Sequence, residues 1–152
     1  ELYFSKFSKR WQGGVAFIDT ERNPAARTYG KMYLITSEQF QEIVQQENGH
    51  HDMKIDLALA KEVHTYSFSH SWYGNILYLG ERDGYPIFTF TANEEMRKQE
   101  ITTPSIPYLR NLYRGLSHLQ LNREDIIHYL SSKRGVKETY STEDLYKHFP
   151  EI

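Results

Sequence analysis

Six of the eight residues from Thr28 to Ile35 are apolar, aromatic or β-branched. Tyr29, Lys31, Tyr33 and Ile35 fall on one side, with Gly30, Met32 and Leu34 on the other. This composition, rich in aromatic residues, predicts a strand. Thr36-Ser37-Glu38-Gln39 follows and has the form of a capping box, in which the Thr36 hydroxyl takes the amide of Gln39 and the Gln39 side chain reaches back. Phe40, Ile43, Val44 and Glu47 then recur at i, i+3, i+4 and i+7, one stripe of an amphipathic helix. Gly49 is a natural stop because it takes positive φ without penalty. The stripe predicts three apolar side chains and one acid turned toward a core.

The rest of the chain is less regular. Glu1 to Phe4 reads as a short strand, Ser5 to Arg10 as a polar loop, Trp11-Gln12-Gly13-Gly14 as a turn and Val15 to Ile18 as a second strand. Asp19 to Arg27 connects to the strand over Thr28–Ile35. His50 to His70 fits a helix or an alternating strand, with a short helix near 54–62 preferred. Tyr73–Gly80 and Tyr85–Thr91 are strands joined by Asp83-Gly84, a hairpin signal. Asn93 to Thr103 is polar and charged. From Thr103 the pattern turns helical: Thr103-Pro104 reads as cap and first helical residue. Leu121-Asn122-Arg123-Glu124-Asp125 opens a further helix that Gly135 ends, and Ser141 caps a last short one. Strands followed by helices predict an α+β fold, a small, mainly antiparallel β-barrel or curved sheet with packed helices.

Length and composition narrow the class. The chain has 152 residues, which suits one domain over residues 1–152 with a single core. A net charge of −2 gives no field that would favour nucleic acid or a membrane surface. No apolar run reaches membrane-spanning length and no signal peptide is visible, so a cytoplasmic protein is expected. There are no cysteines, which removes disulfides, thiol nucleophiles and thiolate metal sites. The seven histidines include no HExxH spacing, and no metal site is expected. Gly13-Gly14 lacks the Lys-Ser/Thr partner of a phosphate loop, and no GxSxG elbow is present.

Glu47 is the residue with candidate chemistry. An acid on the buried stripe, at the carbonyl end of a helix, is disfavoured in its charged form by burial and by the helix dipole. Such a carboxylate is suited to general acid/base work. A solvated acid in a frayed last turn is the alternative. Tyr73 and Tyr108 read equally as packing aromatics or as pocket groups, whereas Trp11 reads as a core or rim aromatic before a substrate contact.

Four separated blocks have a familiar order: Trp11-Gln12-Gly13-Gly14-Val15-Ala16, the run from Tyr29-Gly30 to Glu47-Asn48-Gly49, Trp72-Tyr73, and Pro104-Ser105-Ile106-Pro107-Tyr108 with Gly115 seven residues on. In this order the chain resembles the gamma-glutamylcyclotransferase-like family over about residues 1 to 130. The resemblance implies a small barrel with an internal pocket, in which Glu47 is the acid/base that moves the proton while a gamma-glutamyl compound cyclises to 5-oxoproline. Tyr73, Tyr108, Gly14 and Trp11 would bind the substrate. No metal or organic cofactor is implied, and the partner is a small gamma-glutamyl substrate; homodimer formation stays open. The resemblance starts after that family's N-terminal strand and Tyr-Gly-Ser-Asn loop, and treats His50 to Ser71 as an insertion. The alternative, from a different class, is a non-catalytic member that binds a small ligand or a protein partner in the same pocket.

Overall fold

A computed structural model describes residues 1–150. The elements in chain order are β1 (Leu2–Ser8), β2 (Gly13–Ile18), α1 (Ser37–Asn48), α2 (Leu57–Val63), β3 (Thr65–Ser67), β4 (Asn75–Arg82), β5 (Tyr85–Thr91), a 3-10 turn over Met96–Lys98, α3 (Ile106–Ser117), α4 (Arg123–Ser131) and α5 (Thr142–His148). The class is α+β, as the strands-then-helices order predicts. The described strands form a β1-β2 pair and a separate three-stranded sheet in the order β3-β4-β5. Among the described residues they do not hydrogen-bond into a closed barrel. No described helix is long and apolar enough to cross a membrane.

The chain divides into two compact units. One holds Glu1–Phe17, Asn23–Lys31 and the chain from Lys98 on; the other holds Ile18–Arg22 and Met32–Arg97. Each has its own core, where the sequence suggests a single one.

In the first unit, α3, α4 and α5 present Leu109, Ile126, Ile127, Leu130 and Leu145 to a core that also contains Phe4 of β1. Phe4 is fixed by its backbone: its N–H donates to the Arg134 carbonyl at 3.0 Å, and its own carbonyl accepts from Thr102 at 3.1 Å. Gly135 has φ of 98°, and a Cβ there would stand 2.7 Å from the Phe4 Cβ. Gly135 therefore does not end α4, which stops at Ser131 with Ser132 as its cap; it makes room for β1. The cap of α3 is Ser105, with Pro107 in the first turn, rather than Thr103 with Pro104. Asn122 and Ser141 cap α4 and α5 as their side-chain chemistry predicts. At the far end Arg123 donates to the carbonyls of Tyr146 and Phe149, closing α5 onto α4.

In the second unit, Val44 of α1, Ala60 of α2 and Ile76 of β4 form a fully buried centre, with Phe40, Phe88 and Phe90 around it. The region from His50 to Ser71 is built into this unit: it supplies α2, capped by Asp56, and β3, which pairs with β4. The hairpin between β4 and β5 turns at Asp83 and Gly84, both with positive φ, at 53° and 80°. A bulge between Tyr78 and Gly80 interrupts the ladder, where Gly80 has φ of 112°.

Two expectations are corrected. Ser5 to Arg10 is not all loop, because β1 runs to Ser8. The strand expected over Thr28–Ile35 does not form; that stretch has no regular structure. Tyr33 and Leu34 are 69% and 76% exposed. Apolar and β-branched composition makes a sequence able to be a strand, but a strand exists only beside a partner, and none lies against this one among the described residues.

Helix α1 starts as read from the sequence. Thr36 Oγ1 accepts from the Gln39 amide at 3.2 Å, and Gln39 Oε1 accepts from the Thr36 amide at 2.9 Å. Thr36→Ala removes the first of these bonds and is expected to cost about 1 kcal/mol in chemical denaturation; an unchanged midpoint would contradict the capping assignment.

Candidate functional site

The buried face of α1 decides where its functional groups point. Val44 is fully buried, but Ile43 is 42% exposed and Glu47 is exposed. The face is centred on the Phe40–Val44–Asn48 line, four residues apart, with Gln45 half-buried beside it. Three residues after Val44, Glu47 is rotated off that line. Glu47 is thus not turned into the core, and the burial expected for it is absent. The inward position at the end of α1 belongs to its neighbour Asn48.

Asn48 clasps this helix end to the start of β4. Its amide nitrogen donates to the Val44 carbonyl at 2.8 Å and to the Tyr73 carbonyl at 3.2 Å. Its amide oxygen accepts from the Tyr73 N–H at 3.1 Å. Glu47 and Tyr73, distant in sequence, are therefore held on joined backbone segments. The Tyr73 ring packs edge-on against Phe90, centroids 5.8 Å apart. Gly49 ends the helix in the left-handed conformation, with φ of 66°, and lets the chain leave beside the clasp. Asn48 was missed from sequence, although Asn before a terminal Gly, four residues after a buried Val, carries the signal.

Two residues beyond Tyr73 lies Asn75, which is fully buried. Neither side-chain atom of Asn75 has a hydrogen-bond partner among the described residues. Its cross-strand neighbour is Thr91, whose hydroxyl is already engaged with the Ile18 amide at 2.9 Å and carbonyl at 2.6 Å. A buried amide with both ends unused marks a place where a polar ligand or water belongs.

Trp11, Gly14 and Tyr108 come together in the first unit. The rings of Trp11 and Tyr108 lie 5.1 Å apart, and the Tyr108 hydroxyl accepts from the Ala16 amide at 3.1 Å. The Gly14 amide donates to the Thr103 carbonyl at 2.8 Å, and a Cβ on Gly14 would run into the Thr102 carbonyl oxygen. Glu47 and Tyr73 belong to the second unit.

The second unit also has a recess of about 590 Å³ at the opening of α1, lined by residues that include Ser37, Gln41, Lys54, Asp56 and Tyr66. Neither Glu47 nor Tyr73 lines it. Among the described residues no group of three or more His, Cys, Asp or Glu side chains is placed to hold a metal ion.

No family model matches the sequence, and no solved structure matches it. Among curated proteins, histone deacetylase 5 of Arabidopsis thaliana is similar to this chain, 36% identical over 119 residues. The alignment covers 68% of this chain and 18% of that protein. The chain thus corresponds to under a fifth of the length of the relative it matches.

Two substitutions test these roles. Asn48→Ala removes all three clasp bonds and is expected to cost about 1 to 3 kcal/mol, with faster hydrogen exchange at the Tyr73 amide; unchanged exchange there would contradict the clasp. Gly14→Ala drives a methyl group against the Thr102 carbonyl and is expected to cost about 1 to 3 kcal/mol, read as a lowered thermal midpoint.

Proposed function

We propose that this chain is a gamma-glutamylcyclotransferase-like enzyme whose reacting centre lies at the end of α1, with Glu47 as general acid/base and Tyr73 beside the substrate. The observation that carries the reading is the Asn48 clasp, which holds the helix end bearing Glu47 against the segment of Tyr73. The orphaned amide of Asn75, two residues on, supports it. Glu47 stands open to solvent, so an incoming amine can reach it.

In the proposed reaction the Glu47 carboxylate takes a proton from the substrate's α-amino group. The freed amine attacks the γ-carbonyl carbon, a C–N bond closes the five-membered ring, and the original γ-amide C–N bond breaks. Glu47 returns the proton to the departing amine, and the second proton, shed by the ring nitrogen, leaves with that amine as its ammonium. The products are 5-oxoproline and a free amine or amino acid. Nucleophile and electrophile belong to one molecule, so bringing them together costs little entropy. No electron changes hands and no cofactor enters the balance. The same reading places the protein among small barrel enzymes of the cytoplasm. The similarity to a protein named histone deacetylase concerns a segment of that protein and carries no activity across to this chain.

A second reading has its own observation. The recess at the opening of α1, at the opposite end of the helix from Glu47, has the size of a small-molecule site. It favours a non-catalytic member of the same family that binds a small ligand.

Incubation of the full chain with a panel of gamma-glutamyl dipeptides and amines, scored for 5-oxoproline, separates the two. Turnover is expected, and Glu47→Gln is expected to lower its rate about a hundredfold or more without changing the thermal midpoint. Turnover indifferent to that substitution removes Glu47 from the chemistry. Absence of 5-oxoproline from every compound leaves the binding reading.

A further inference from the structure

The net charge of −2 averages over a local excess of positive charge. From Leu2 to Ile18 the chain carries Lys6, Lys9 and Arg10 and no acidic residue. All three cations are exposed, at the end of β1 and in the turn that leads to β2. Phe7 stands among them at 55% exposure, without a ring partner among the described residues. Glu100 lies in the segment beside β1, where Ser5 bridges to Ile101 and the Ser5 hydroxyl donates to the Glu100 carbonyl at 2.6 Å. Among the described residues neither Glu100 nor any other carboxylate forms an ion pair with Lys6, Lys9 or Arg10.

The turn is held in one shape by its own hydrogen bonds. The Gln12 amide donates to the Ser8 carbonyl at 2.7 Å, the Trp11 amide to the Ser8 hydroxyl at 3.3 Å and the Gln12 side-chain nitrogen to the Lys9 carbonyl at 2.6 Å. Lys6 and Gln12 both take positive φ, 59° and 54°, a conformation that a residue with a Cβ holds only at a cost. At Lys6 two successive side chains, Lys6 and Phe7, are exposed, where regular alternation along a strand would turn one of them inward. Strain that brings an apolar ring out beside a cation serves presentation, not packing. Arg10 lies over the Trp11 ring, 5.3 Å from its centroid, and the same ring packs against Tyr108. The guanidinium is thus kept beside the turn while Arg10 stays exposed.

Cations around a single free ring suit a layered partner. Anionic headgroups take the charges, and the hydrocarbon beneath them takes the ring. A single-stranded nucleic acid stacks successive bases on several free rings, and here the Trp11 ring is already engaged. A wholly acidic peptide offers nothing to Phe7. We propose that the end of β1 and its turn dock on an anionic lipid surface, with Phe7 entering the headgroup boundary and Lys6, Lys9 and Arg10 on the headgroup anions. The docking surface belongs to the first unit and does not depend on the cyclotransferase reading.

Co-sedimentation of the full chain with vesicles is the test, with phosphatidylcholine alone beside an equimolar mixture with phosphatidylserine. Binding to the mixed vesicles is expected, at least about tenfold tighter than to the neutral ones and weakening as salt is raised. The triple change Lys6→Gln, Lys9→Gln and Arg10→Gln is expected to weaken it about a hundredfold. Phe7→Ser is expected to weaken it about tenfold, and tests the turn independently if the triple change does not fold. Oligo-dT and poly-L-glutamate, titrated separately at the same salt, are expected to bind more weakly than the mixed vesicles. Absent binding to those vesicles, equal binding to the neutral ones, indifference to salt or to either variant, or tighter binding of either soluble polyanion would each overturn the proposal.

Discussion

The first unit rests on a close backbone approach that only glycine permits. At Gly13 and Gly14, β2 comes so near the segment from Thr102 to Ser105 that a side chain on either residue would occupy space already held by backbone atoms. The bond from the Gly14 amide to the Thr103 carbonyl, 2.8 Å long, is made across that gap. The start of α3 is set beside β2 in the same step, because Ser105 is its cap. The Tyr108 hydroxyl, one turn into that helix, then reaches the Ala16 amide. The helices that carry most of the buried hydrocarbon are in this way registered against the N-terminal strands by a contact without side chains.

The second unit uses a polar device for the same purpose. Helix α1 has a narrow apolar face, with Val44 as its one fully buried residue, and such a face fixes rotation about the helix axis only loosely. Asn48 fixes it by hydrogen bonds to both the N–H and the carbonyl of Tyr73. Its location at the end of the helix leaves Glu47 outside. Structure and chemistry are thus assigned to adjacent residues, one holding position and the other presenting a carboxylate.

Local chemistry was legible in the sequence. The caps Thr36 and Ser141 and the Asp83-Gly84 turn each depend on atoms within a few residues, and all three are found where the chain indicates them. Features that depend on distant partners were not. The Thr28–Ile35 run meets no neighbouring strand. The rotation of α1 is set by a residue 25 positions away, which no periodicity can register. Ser105, not Thr103, caps α3, and the Thr103 hydroxyl is bonded instead to that of Thr139. Gly135 looks like a helix stop and instead serves the packing of Phe4. Of the candidate site residues, Trp11 packs with Tyr108, while only the neighbour of Glu47, Asn48, bonds to Tyr73; the sequence contained no sign that they divide between two units.

The segment that precedes α1 has a thermodynamic cost of its own. Met32, Leu34 and Ile35 hold hydrocarbon in contact with water, at 53%, 76% and 38% exposure, and the neighbouring Ile43 adds to it at 42%. Contact of this kind becomes less favourable as temperature rises from the cold. Warming and crowding of the chains therefore both favour self-adhesion through a sequence whose side chains already suit a cross-strand ladder.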